Sequence, residues 1–310
     1  MSDAGPYVLG IDIGVTQVKW ARVTRDAQTR EQGTFDTRAD SPDWTESIRE
    51  FVHQIEREHG EAGAIGIAAP GLASPDGSCI AWMQGRLDAV EGLNWTKYLG
   101  RRDGVPVLND AQAALLGEAW AGAASGSSNV MLLTLGTGVG GALMMDGRLL
   151  RGHIGRAGHL GHVCLDPDGA PDIVGTPGSL EDAIGNCTLS RRTNGRYSST
   201  HELIAAHQSG DPAATEVWLR SVHLLACGIA SIVNVADPEV VIIGGGIARA
   251  GESLFVPLRA ELNRLEWRPH GRQVRVVEAV LGEHAGALGA ARNADQVVSR
   301  RSSDVQSENP

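Results

Sequence analysis

The amino-acid sequence predicts an α/β protein with two domains, and three observations lead to this prediction. The chain has 310 residues, which is long enough for two domains of ordinary size, each with its own core. Short apolar strands alternate with helical segments up to about residue 117. The alternation begins again at Glu118. We therefore expect a small domain over residues 1–117 and a larger domain over residues 118–284.

The first domain is predicted to begin with a β-hairpin. Val8, Leu9 and Ile11 form a short apolar strand within residues 7–12, and the alternation resumes at Val18. The other elements predicted for this domain are a helix over residues 43–59 and strands over residues 64–68 and 105–109.

The second domain repeats the alternation around a glycine-rich turn. Its predicted elements are strands over residues 130–135 and 141–145, a helix over 213–235 and a strand that begins at Val240. Residues 158–178 are rich in glycine, proline and polar side chains, which is typical of a ligand-binding loop. An alanine- and glycine-rich helix is expected over residues 285–293. The polar residues 297–310 lack an apolar face and predict a disordered tail.

Three glycine-rich turns follow apolar strands, and each is typical of a nucleotide-binding site. They are Gly14-Val15-Thr16, Gly136-Thr137-Gly138 and Gly244-Gly245-Gly246. Backbone N–H groups in such turns can hold phosphate oxygens, and glycine lets a ligand approach the backbone closely. A single glycine turn is more often only a tight turn. The prediction therefore depends on the occurrence of all three in this order.

A carboxylate, Asp110, stands at the end of a predicted strand shortly before the second glycine turn. In this position it can accept the proton of a hydroxyl as the hydroxyl attacks a phosphorus atom. Asn109-Asp110 before Ala111 is also a good helix start, so that an N-cap is the structural alternative. The two roles are compatible. The combination of carboxylate and glycine turn predicts phosphoryl transfer to a hydroxyl.

The order of these motifs resembles the ROK family of sugar kinases, in the actin-like ATPase superfamily. The resemblance runs from about Tyr7 to Ala291. Further matching segments are Ala69-Pro70-Gly71, Gly85-Arg86-Leu87 with Glu91-Gly92, Gly161-His162 and Gly178-x-Leu180-Glu181. The resemblance implies a two-domain actin-like ATPase (ribonuclease H-like) fold with a nucleotide and sugar cleft between the domains. It also implies that a helix over about residues 285–295 packs back on the first domain.

The resemblance implies an ATP- and Mg²⁺-dependent kinase that phosphorylates a primary hydroxyl of a hexose-type sugar, with Asp110 as the catalytic base. Asn109 offers a donor and an acceptor to sugar hydroxyls, and Glu181 matches the family's second sugar carboxylate. The expected sugar-binding residues are Gly71, Asn109, Asp110, His159, His162 and Glu181. The expected nucleotide-binding residues are Asp12, which helps to position hydrated Mg²⁺, and Gly14, Thr16, Gly136, Thr137, Gly138, Gly244, Gly245 and Gly246.

Two departures from the family pattern affect the predicted sugar pocket. The family's Glu-x-Gly-His motif reads His159-Leu160-Gly161-His162 here, and an imidazole is a weaker acceptor than a carboxylate. A substituted, acetylated or acidic sugar becomes more plausible, although a plain hexose remains possible. The family's zinc-binding cysteines are matched by Asp172, Val174 and Ser179, and valine cannot bind a metal. We expect no structural zinc, while a new metal site built on both histidines and Asp172 stays open as an alternative.

A third departure is Val15, where the family has glycine at the tip of the first hairpin. A β-branched residue resists positive φ and intrudes on a phosphate. Either the hairpin is shifted and ATP binding is weaker, or the protein is a catalytically weak sugar-binding or sensing protein. Because Asp12, Asp110 and the turn at Thr137 remain, the kinase is the favoured interpretation.

The composition limits the class of partner. The net charge of -10 disfavours binding to nucleic acid. The family's repressors carry a helix-turn-helix before the first strand, and this sequence shows none there. Residues 1–6 lack the features of a signal peptide, and no apolar run approaches a membrane span, so that a cytoplasmic protein is expected. Relatives are often dimers or larger homo-oligomers. We therefore expect a homo-oligomer whose ligands are a sugar and ATP.

Cysteine and tryptophan give two smaller expectations. The four cysteines are widely spaced without a C-x-x-C pair, which predicts free thiols in or near the core. Trp82 and Trp95 lie in a region where a sugar could stack on them, or they cover the edge of the core.

Overall fold

The computed structural model describes residues 6–39, 41, 43–83 and 87–307, and it gives only the backbone at residue 88 and at residues 301–307. The chain divides into two compact units. The first unit comprises Met1–Gly126, Arg151–Ala157 and Val280–Pro310, and the second comprises Ser127–Leu150 and Gly158–Ala279. Each unit combines a five-stranded sheet with helices, which confirms the predicted α/β class.

The strands of the described residues lie in two large sheets and one small one. They are β1 (Val8–Ile13), β2 (Gln17–Val23), β3 (Thr29–Asp36), β4 (Ala64–Ala69), β5 (Leu72–Ala73), β6 (Ile80–Trp82), β7 (Val107–Asn109), β8 (Val130–Leu135), β9 (Val139–Met145), β10 (Arg148–Leu149), β11 (Val240–Gly244) and β12 (Arg275–Glu278).

The α-helices of the described residues range from single turns to a helix of 25 residues. They are α1 (Trp44–His59), α2 (Trp95–Tyr98), α3 (Asp110–Ala121), α4 (Leu180–Ile184), α5 (Leu189–Arg192), α6 (Thr200–Gln208), α7 (Pro212–Ala236), α8 (Glu252–Leu265) and α9 (Ala285–Ser307).

The sheet of the first unit has the strand order β3-β2-β1-β4-β7. The first three strands form an antiparallel meander, and β4 and β7 are parallel to β1. Helix α1 forms because apolar residues recur at helical spacing, and it buries Trp44, Ile48, Val52 and Ile55. Because β1, β4 and β7 run in one direction, their carboxyl ends meet at one edge of this sheet.

The sheet of the second unit has the order β10-β9-β8-β11-β12. The strands β8, β9 and β10 form an antiparallel meander, and β11 and β12 run parallel to β8. All five residues of β11 are buried, as is usual for a parallel strand that is covered on both faces. The two sheets thus have the same arrangement, three antiparallel strands followed by two parallel ones. The sequence has no evident internal repeat that would indicate this similarity of the two sheets.

Helix α9 packs within the first unit at very short range. A Cβ added at Gly10, Gly66, Gly117 or Gly289 would collide with backbone atoms across the contacts of α9 with β1, β4 and α3. Glycine at these positions lets the backbones approach closely. The helix continues to Ser307, so that the prediction of a disordered tail is wrong for residues 297–307. Val298 adds an apolar side chain to the packed face, which supports the helix beyond the predicted end at residue 293.

The first unit extends beyond the boundary expected at residue 117, because Glu118 joins two of its segments. The Glu118 side chain is fully buried. Its Oε1 accepts hydrogen bonds from the N–H groups of Val280 and Leu281, at 2.9 and 2.8 Å, and its Oε2 accepts one from Ala123 at 2.8 Å. Residues 118–126 therefore belong to the first unit.

The remaining predicted elements agree with the structure to within a few residues. The helices predicted over 43–59 and 213–235 are α1 and α7, and the strands predicted over 64–68, 105–109 and 130–135 are β4, β7 and β8. By length and composition alone, α7 could cross a membrane, with a mean hydropathy of 1.5 over its most apolar window. More than half of that window is buried in the second unit, as in a core helix of a globular protein.

Two expectations about single side chains need correction. All four cysteines are free, as predicted, but Cys164 and Cys187 are exposed and do not lie in the core. Trp95 is fully buried at the start of α2, because it packs in the core of the first unit, and it therefore cannot stack on a sugar. Trp82 is 48% exposed.

Candidate active site

The carboxyl edge of the first sheet carries the predicted residues of that unit. The hairpin tip 14–16 follows β1, and Asp110 follows β7 directly. One residue separates Gly71 from the end of β4. In the register of the sheet, Asp12 pairs with Ala68 and Ala69 pairs with Asn109. The fold thus brings Asp12, Gly71, Asn109 and Asp110 to neighbouring strand ends.

Of the two roles predicted at this helix start, Asn109 takes that of the N-cap. Asn109 is the N-cap of α3, and its Oδ1 accepts hydrogen bonds from the N–H groups of Ala111 at 3.0 Å and Gln112 at 3.3 Å. Its amide also donates to the Gly71 carbonyl at 2.9 Å. Asn109 is buried, and both ends of its side chain are engaged within the protein. Asn109 therefore does not offer a free donor and a free acceptor to a sugar together, as the sequence predicted, because the helix cap uses its acceptor.

Asp110 is the first residue of α3, and a backbone N–H holds one oxygen of its carboxylate. Its Oδ1 accepts a hydrogen bond from the Ala111 N–H at 2.8 Å. Desolvation raises the pKa of Asp110 and outweighs the hydrogen bonds from Ala111 and Asn109. The residue nevertheless keeps a large accessible surface. The pKa is therefore raised by protein atoms that crowd the carboxylate, and not by its complete removal from water. A carboxylate with a raised pKa is a stronger proton acceptor.

Asp12 is the second carboxylate of this edge. Its pKa is raised to about 7, first by burial and then by the charge of Asp110, while Lys19 opposes the shift. Lys19 lies opposite Asp12 in the β1–β2 register. A Cβ at Gly286, in the first turn of α9, would collide with the Asp12 carboxylate. Two crowded carboxylates favour a bound divalent cation, because the cation stabilises their ionised form, so that these residues fit Mg²⁺.

The tip of the first hairpin is closed by a residue that the sequence reasoning missed. Thr37 is fully buried. Its hydroxyl donates to the Gly14 carbonyl at 2.6 Å, and its N–H donates to the Thr16 carbonyl at 3.0 Å. Val15 does not have a positive φ and packs against the core of the unit. The strain expected at Val15 is therefore absent, because the glycine requirement falls on Gly14, where a Cβ would lie 2.8 Å from the Gln17 carbonyl.

Gly71 needs to be glycine for two reasons. Its φ is +101°, in a region that L side chains rarely adopt. A Cβ at this position would also lie 2.6 Å from the Trp82 carbonyl and 2.8 Å from Ile80 Cγ2. The turn brings the Gly71 carbonyl to the Asn109 amide, which links the ends of β4 and β7.

The carboxyl edge of the second sheet carries two of the predicted glycine turns. Residues Gly136, Thr137 and Gly138 join β8 to β9, and Gly245 and Gly246 follow β11. Gly136 N–H donates to the Gly138 carbonyl at 2.9 Å. Within the described part of the chain, the N–H groups of Thr137 and Gly138 have no hydrogen-bond acceptor. These two donors fit a phosphate group.

Gly245 has a φ of +87°, and a Cβ there would collide with the backbone of Leu135. The third turn is thus held tightly against the start of the second turn. The carbonyls of Gly136 and Thr137 accept hydrogen bonds from the N–H groups of Asn186 and Cys187, at 3.0 and 2.8 Å. The turn is therefore supported from behind by the segment that follows α4.

Glu181 lies directly against the turn at residues 136–138. Its Oε2 accepts a hydrogen bond from the Val139 N–H at 2.9 Å, and a Cβ at Gly138 would collide with the same oxygen. The sequence predicted a sugar ligand at Glu181, and this hydrogen bond had no signal in the sequence. It fixes the carboxylate beside the N–H groups of Thr137 and Gly138.

His159 precedes the 3₁₀ helix Leu160–His162 of the second unit, and His162 is its last residue. A Cβ at Gly161 would collide with the Val139 carbonyl, so that this turn packs closely on β9. Burial, followed by the neighbouring His162, lowers the pKa of His159, which is therefore neutral near pH 7. His159 Nε2 is buried and has no hydrogen-bond partner among the described residues. A buried polar atom without a partner is unfavourable by about 1–3 kcal/mol, unless a ligand supplies the hydrogen bond.

His162 pairs with Asp172, and the two do not form a metal site with His159. The distance from His162 Nδ1 to Asp172 Oδ2 is 2.8 Å, and the Asp172 side chain is 0% exposed. Although burial raises the pKa of Asp172, hydrogen bonds from His162, Thr176, Ser179 and Val174 outweigh it and lower the pKa.

The residues at the family's zinc positions do not fit zinc. Zinc in a structural site needs about four ligands. In the part of the chain that the structure describes, no three His, Cys, Asp or Glu residues are grouped to hold a metal ion. Val174 is 48% exposed and has no donor atom in its side chain, and the Asp172 carboxylate is already surrounded by protein donors.

Part of the predicted sugar region cannot be compared with the structure. Gly85 and Arg86 lie outside the described residues. Nearby, Glu91 Oε2 accepts a hydrogen bond from the Met83 N–H at 2.9 Å, which ties the two ends of this segment together.

Known proteins of similar sequence and structure identify the family of this chain. The model of the ROK family matches residues 8–297. A glucokinase from Thermotoga maritima is 33% identical over 305 residues, which cover 92% of this chain and 96% of that protein. Among solved structures, a ROK hexokinase from Thermus thermophilus has a TM-score of 0.84 and 32% identity, covering 95% of this chain and 99% of that one.

A second solved structure is a ROK family glucokinase from Streptomyces griseus in complex with glucose and AMPPNP. It has a TM-score of 0.76 and 27% identity, and the match covers 94% of this chain and 99% of that one. The family match spans nearly the whole chain, and the neighbours share its actin-like ATPase fold. The chain belongs to the ROK family.

Proposed function

We propose that this protein is an ATP- and Mg²⁺-dependent kinase that transfers a phosphoryl group to a primary hydroxyl of a hexose-type sugar. The observation that carries the proposal is Asp110. It stands at a strand end, its Oδ1 is held by a backbone N–H, and the residue as a whole is exposed. A carboxylate held in this way can orient a hydroxyl and take its proton as the bond to phosphorus forms.

Asn109 has a positioning role in this proposal. It caps α3 and binds the Gly71 carbonyl, so that one side chain fixes the helix start, the Gly71 turn and the carboxylate that follows it. The base then approaches the sugar in a single orientation, which lowers the entropic barrier of the reaction.

Glycine turns bind the nucleotide in this proposal. The N–H groups of Thr137 and Gly138 bind phosphate oxygens, with further contacts from Gly14 and Thr16. Gly244, Gly245 and Gly246 flank the adenosine. Asp12 holds hydrated Mg²⁺, which, when bound, neutralises charge on the phosphates. The glucokinase structure with AMPPNP supports ATP as the phosphoryl donor.

Two side chains of the second unit define the sugar specificity in this proposal. Glu181 accepts hydroxyl hydrogen bonds with the oxygen that Val139 leaves unused. His159 offers its unpartnered Nε2 to one sugar group. Because a neutral imidazole cannot accept from two hydroxyls as a carboxylate does, we expect a hexose with an altered substituent to be preferred over plain glucose.

The first experiment measures ADP release over a panel of hexoses, amino sugars, N-acetylated sugars and sugar acids. Asp110→Asn should lower kcat by roughly 10² or more, the effect of losing a positioned general base, while sugar binding persists. Asp43→Asn is the matched control, because Asp43 is an exposed carboxylate of the same unit that makes no cap hydrogen bond.

Two outcomes would contradict the proposal. Turnover by Asp110→Asn within about threefold of the wild type would remove this carboxylate from the mechanism. If a sugar raises the thermal stability of the protein but no sugar of the panel leads to ADP release, a sugar-binding protein without kinase activity is favoured.

A second experiment tests His159. His159→Glu restores a carboxylate and should move preference towards glucose, by about 1 to 3 kcal/mol in relative kcat/KM. The same sugar panel is measured for both proteins. If all sugars change by one common factor, position 159 does not select the substrate.

A further inference from the structure

We propose that Asp172 is a positioning residue of the sugar site, whose carboxylate organises the segment 163–180 without a metal ion and fixes the ring orientation and tautomer of His162. The inference rests on the proposed function for the role of His162 in sugar binding. Its structural part stands independently, on the contacts of Asp172 within the second unit.

The Asp172 carboxylate is saturated with donors from the protein. Oδ2 lies 2.8 Å from His162 Nδ1, and Oδ1 accepts hydrogen bonds from the N–H groups of Val174 at 3.0 Å and Thr176 at 2.9 Å. Although burial raises the pKa of Asp172, these donors together with Ser179, a fully buried residue, lower it. A buried carboxylate with several donors is strongly held, since each charge-assisted hydrogen bond is about twice as strong as a neutral one.

These contacts close a small hairpin. Asp172 N–H donates to the Thr176 carbonyl and Gly178 N–H donates to the Ala170 carbonyl, both at 2.9 Å. Leu180 N–H donates to the Val163 carbonyl at 2.9 Å, which joins the far end of the segment to the residue after His162. The segment is therefore cross-linked by one carboxylate and by backbone hydrogen bonds, at the positions where the family resemblance implied zinc.

The pairing with Asp172 also determines the chemistry of His162. An ionised carboxylate only accepts hydrogen bonds, so that His162 Nδ1 carries a proton. In the neutral ring, Nε2 then has a free lone pair and accepts a hydrogen bond from a donor such as a sugar hydroxyl. His162 is 27% exposed, which leaves this second nitrogen within reach of a ligand. Asp172 thereby selects the acceptor form of His162, as an outer carboxylate does for a metal-bound histidine.

Asp172→Asn separates this role from support of the hairpin. The asparagine Oδ1 can accept the same two N–H groups, but its NH₂ group faces His162 Nδ1 as a donor. His162 must then accept at Nδ1 and carry its proton on Nε2, which makes Nε2 a donor. We expect the KM for the preferred sugar to rise at least tenfold, with kcat and the affinity for an ATP analogue within about threefold of wild type.

The ring nitrogens of His162 give a readout that does not depend on activity. Nitrogen-15 NMR of the histidine side chains should assign the proton of His162 to Nδ1 in the wild type and to Nε2 in Asp172→Asn. Unchanged tautomer and unchanged KM in a folded Asp172→Asn protein would overturn the proposal. A changed tautomer with no sugar-dependent ADP release by the wild type would leave the structural part standing and would contradict only the proposed kinase function.

The metal-free part of the proposal is tested by elemental analysis and chelation. The purified wild type should contain no stoichiometric zinc, and EDTA should leave its thermal unfolding midpoint unchanged in the absence of nucleotide. About one zinc per chain, lost on chelation together with stability, would overturn the proposal. Asp172→Ala, which leaves the N–H groups of Val174 and Thr176 unpaired, should unfold at a lower temperature than Asp172→Asn.

Discussion

The two hairpin turns at residues 14–16 and 136–138 occupy the same place in two sheets of the same strand order, but they are stabilised differently. One residue holds the carbonyls of the first turn: the Thr37 hydroxyl donates to Gly14, and the Thr37 N–H donates to Thr16. Two backbone N–H groups, those of Asn186 and Cys187, hold the carbonyls of the second turn, and the N–H groups of Thr137 and Gly138 have no acceptor in the described chain.

The two turns also use glycine for different reasons. In the first turn, Gly14 is needed because the backbone passes close to the Gln17 carbonyl, and Val15 is tolerated because its φ is negative and its side chain packs on the core. In the second turn, Gly138 is needed because a carboxylate lies where its Cβ would be. A family motif with adjacent glycines therefore does not imply one common reason for them.

Among changes to the two turns and the charge beside them, the largest expected effect is that of Gly138→Ala. The new Cβ collides with Glu181 Oε2, which lies at the end of a flexible side chain, so that the carboxylate moves and its hydrogen bond to Val139 is lost. Losing a charge-assisted hydrogen bond to the sugar should lower kcat/KM by about 10- to 100-fold, in line with about 1.5–3 kcal/mol. Steady-state kinetics with the preferred sugar measure this change.

Gly136→Ala is the comparison for Gly138→Ala within the same turn. A Cβ at Gly136 would meet no atom within 4 Å, and the residue does not have a positive φ. Its effect on kcat/KM should be at least five times smaller than that of Gly138→Ala. Equal losses in both variants would show that the turn tolerates no Cβ at all and that Glu181 is not the reason.

The second prediction concerns the charge beside the first turn. The pKa of Asp12 is about 7 in the folded protein, above its ordinary value of 3.8, so that the folded state binds this proton more tightly than the unfolded state. Stability relative to Asp12→Asn should therefore fall as the pH rises from about 4 to about 7 and stay level above that. Thermal unfolding midpoints of both proteins across this range measure the effect.

Mg²⁺ provides the control for this prediction. At pH 8, Mg²⁺ should raise the unfolding midpoint of the wild type more than that of Asp12→Asn, because the ion binds the ionised carboxylate of the folded protein. Parallel pH curves for the two proteins would contradict the raised pKa of Asp12.

The smallest expected effect is that of Val15→Gly. Because Val15 has no positive φ, glycine should change the KM for ATP by less than about threefold, and the gain in backbone freedom should lower the free energy of unfolding by roughly 0.5–1 kcal/mol. An improvement of ten-fold or more in the KM for ATP would show instead that Val15 obstructs the phosphate.

Much of the fold could be predicted, because its elements follow local patterns. The long helices α1 and α7 and the apolar strands β8 and β11 have strong periodicity or apolar runs, and the sequence located them to within a few residues. The extension of α9 was missed, because the polar residues from Ser299 onward obscure the signal of Val298, whose apolar side chain packs on the unit.

The candidate site was predictable only where a motif marks it. The position of Asp110 at a strand end could be read from the residues around it, as could the glycine turns. Thr37 and the Asp172 pair with His162 could not, because each depends on contacts between segments that are distant in the sequence, or on a hydrogen-bond pattern inside a loop. A buried threonine has no periodicity that distinguishes it from an ordinary strand-end residue.

The close packing of α9 has a consequence for synthesis of the chain. The ribosome completes the first 126 residues and the whole second unit before it adds the helix that covers Gly10 of β1 and Gly66 of β4. Until then, the nascent first unit has an open seam lined by small residues where α9 will insert. We expect nascent chains that end before residue 280 to be recognised by chaperones and proteases. Synthesis of α9 is thus the step that commits the first unit to its native state.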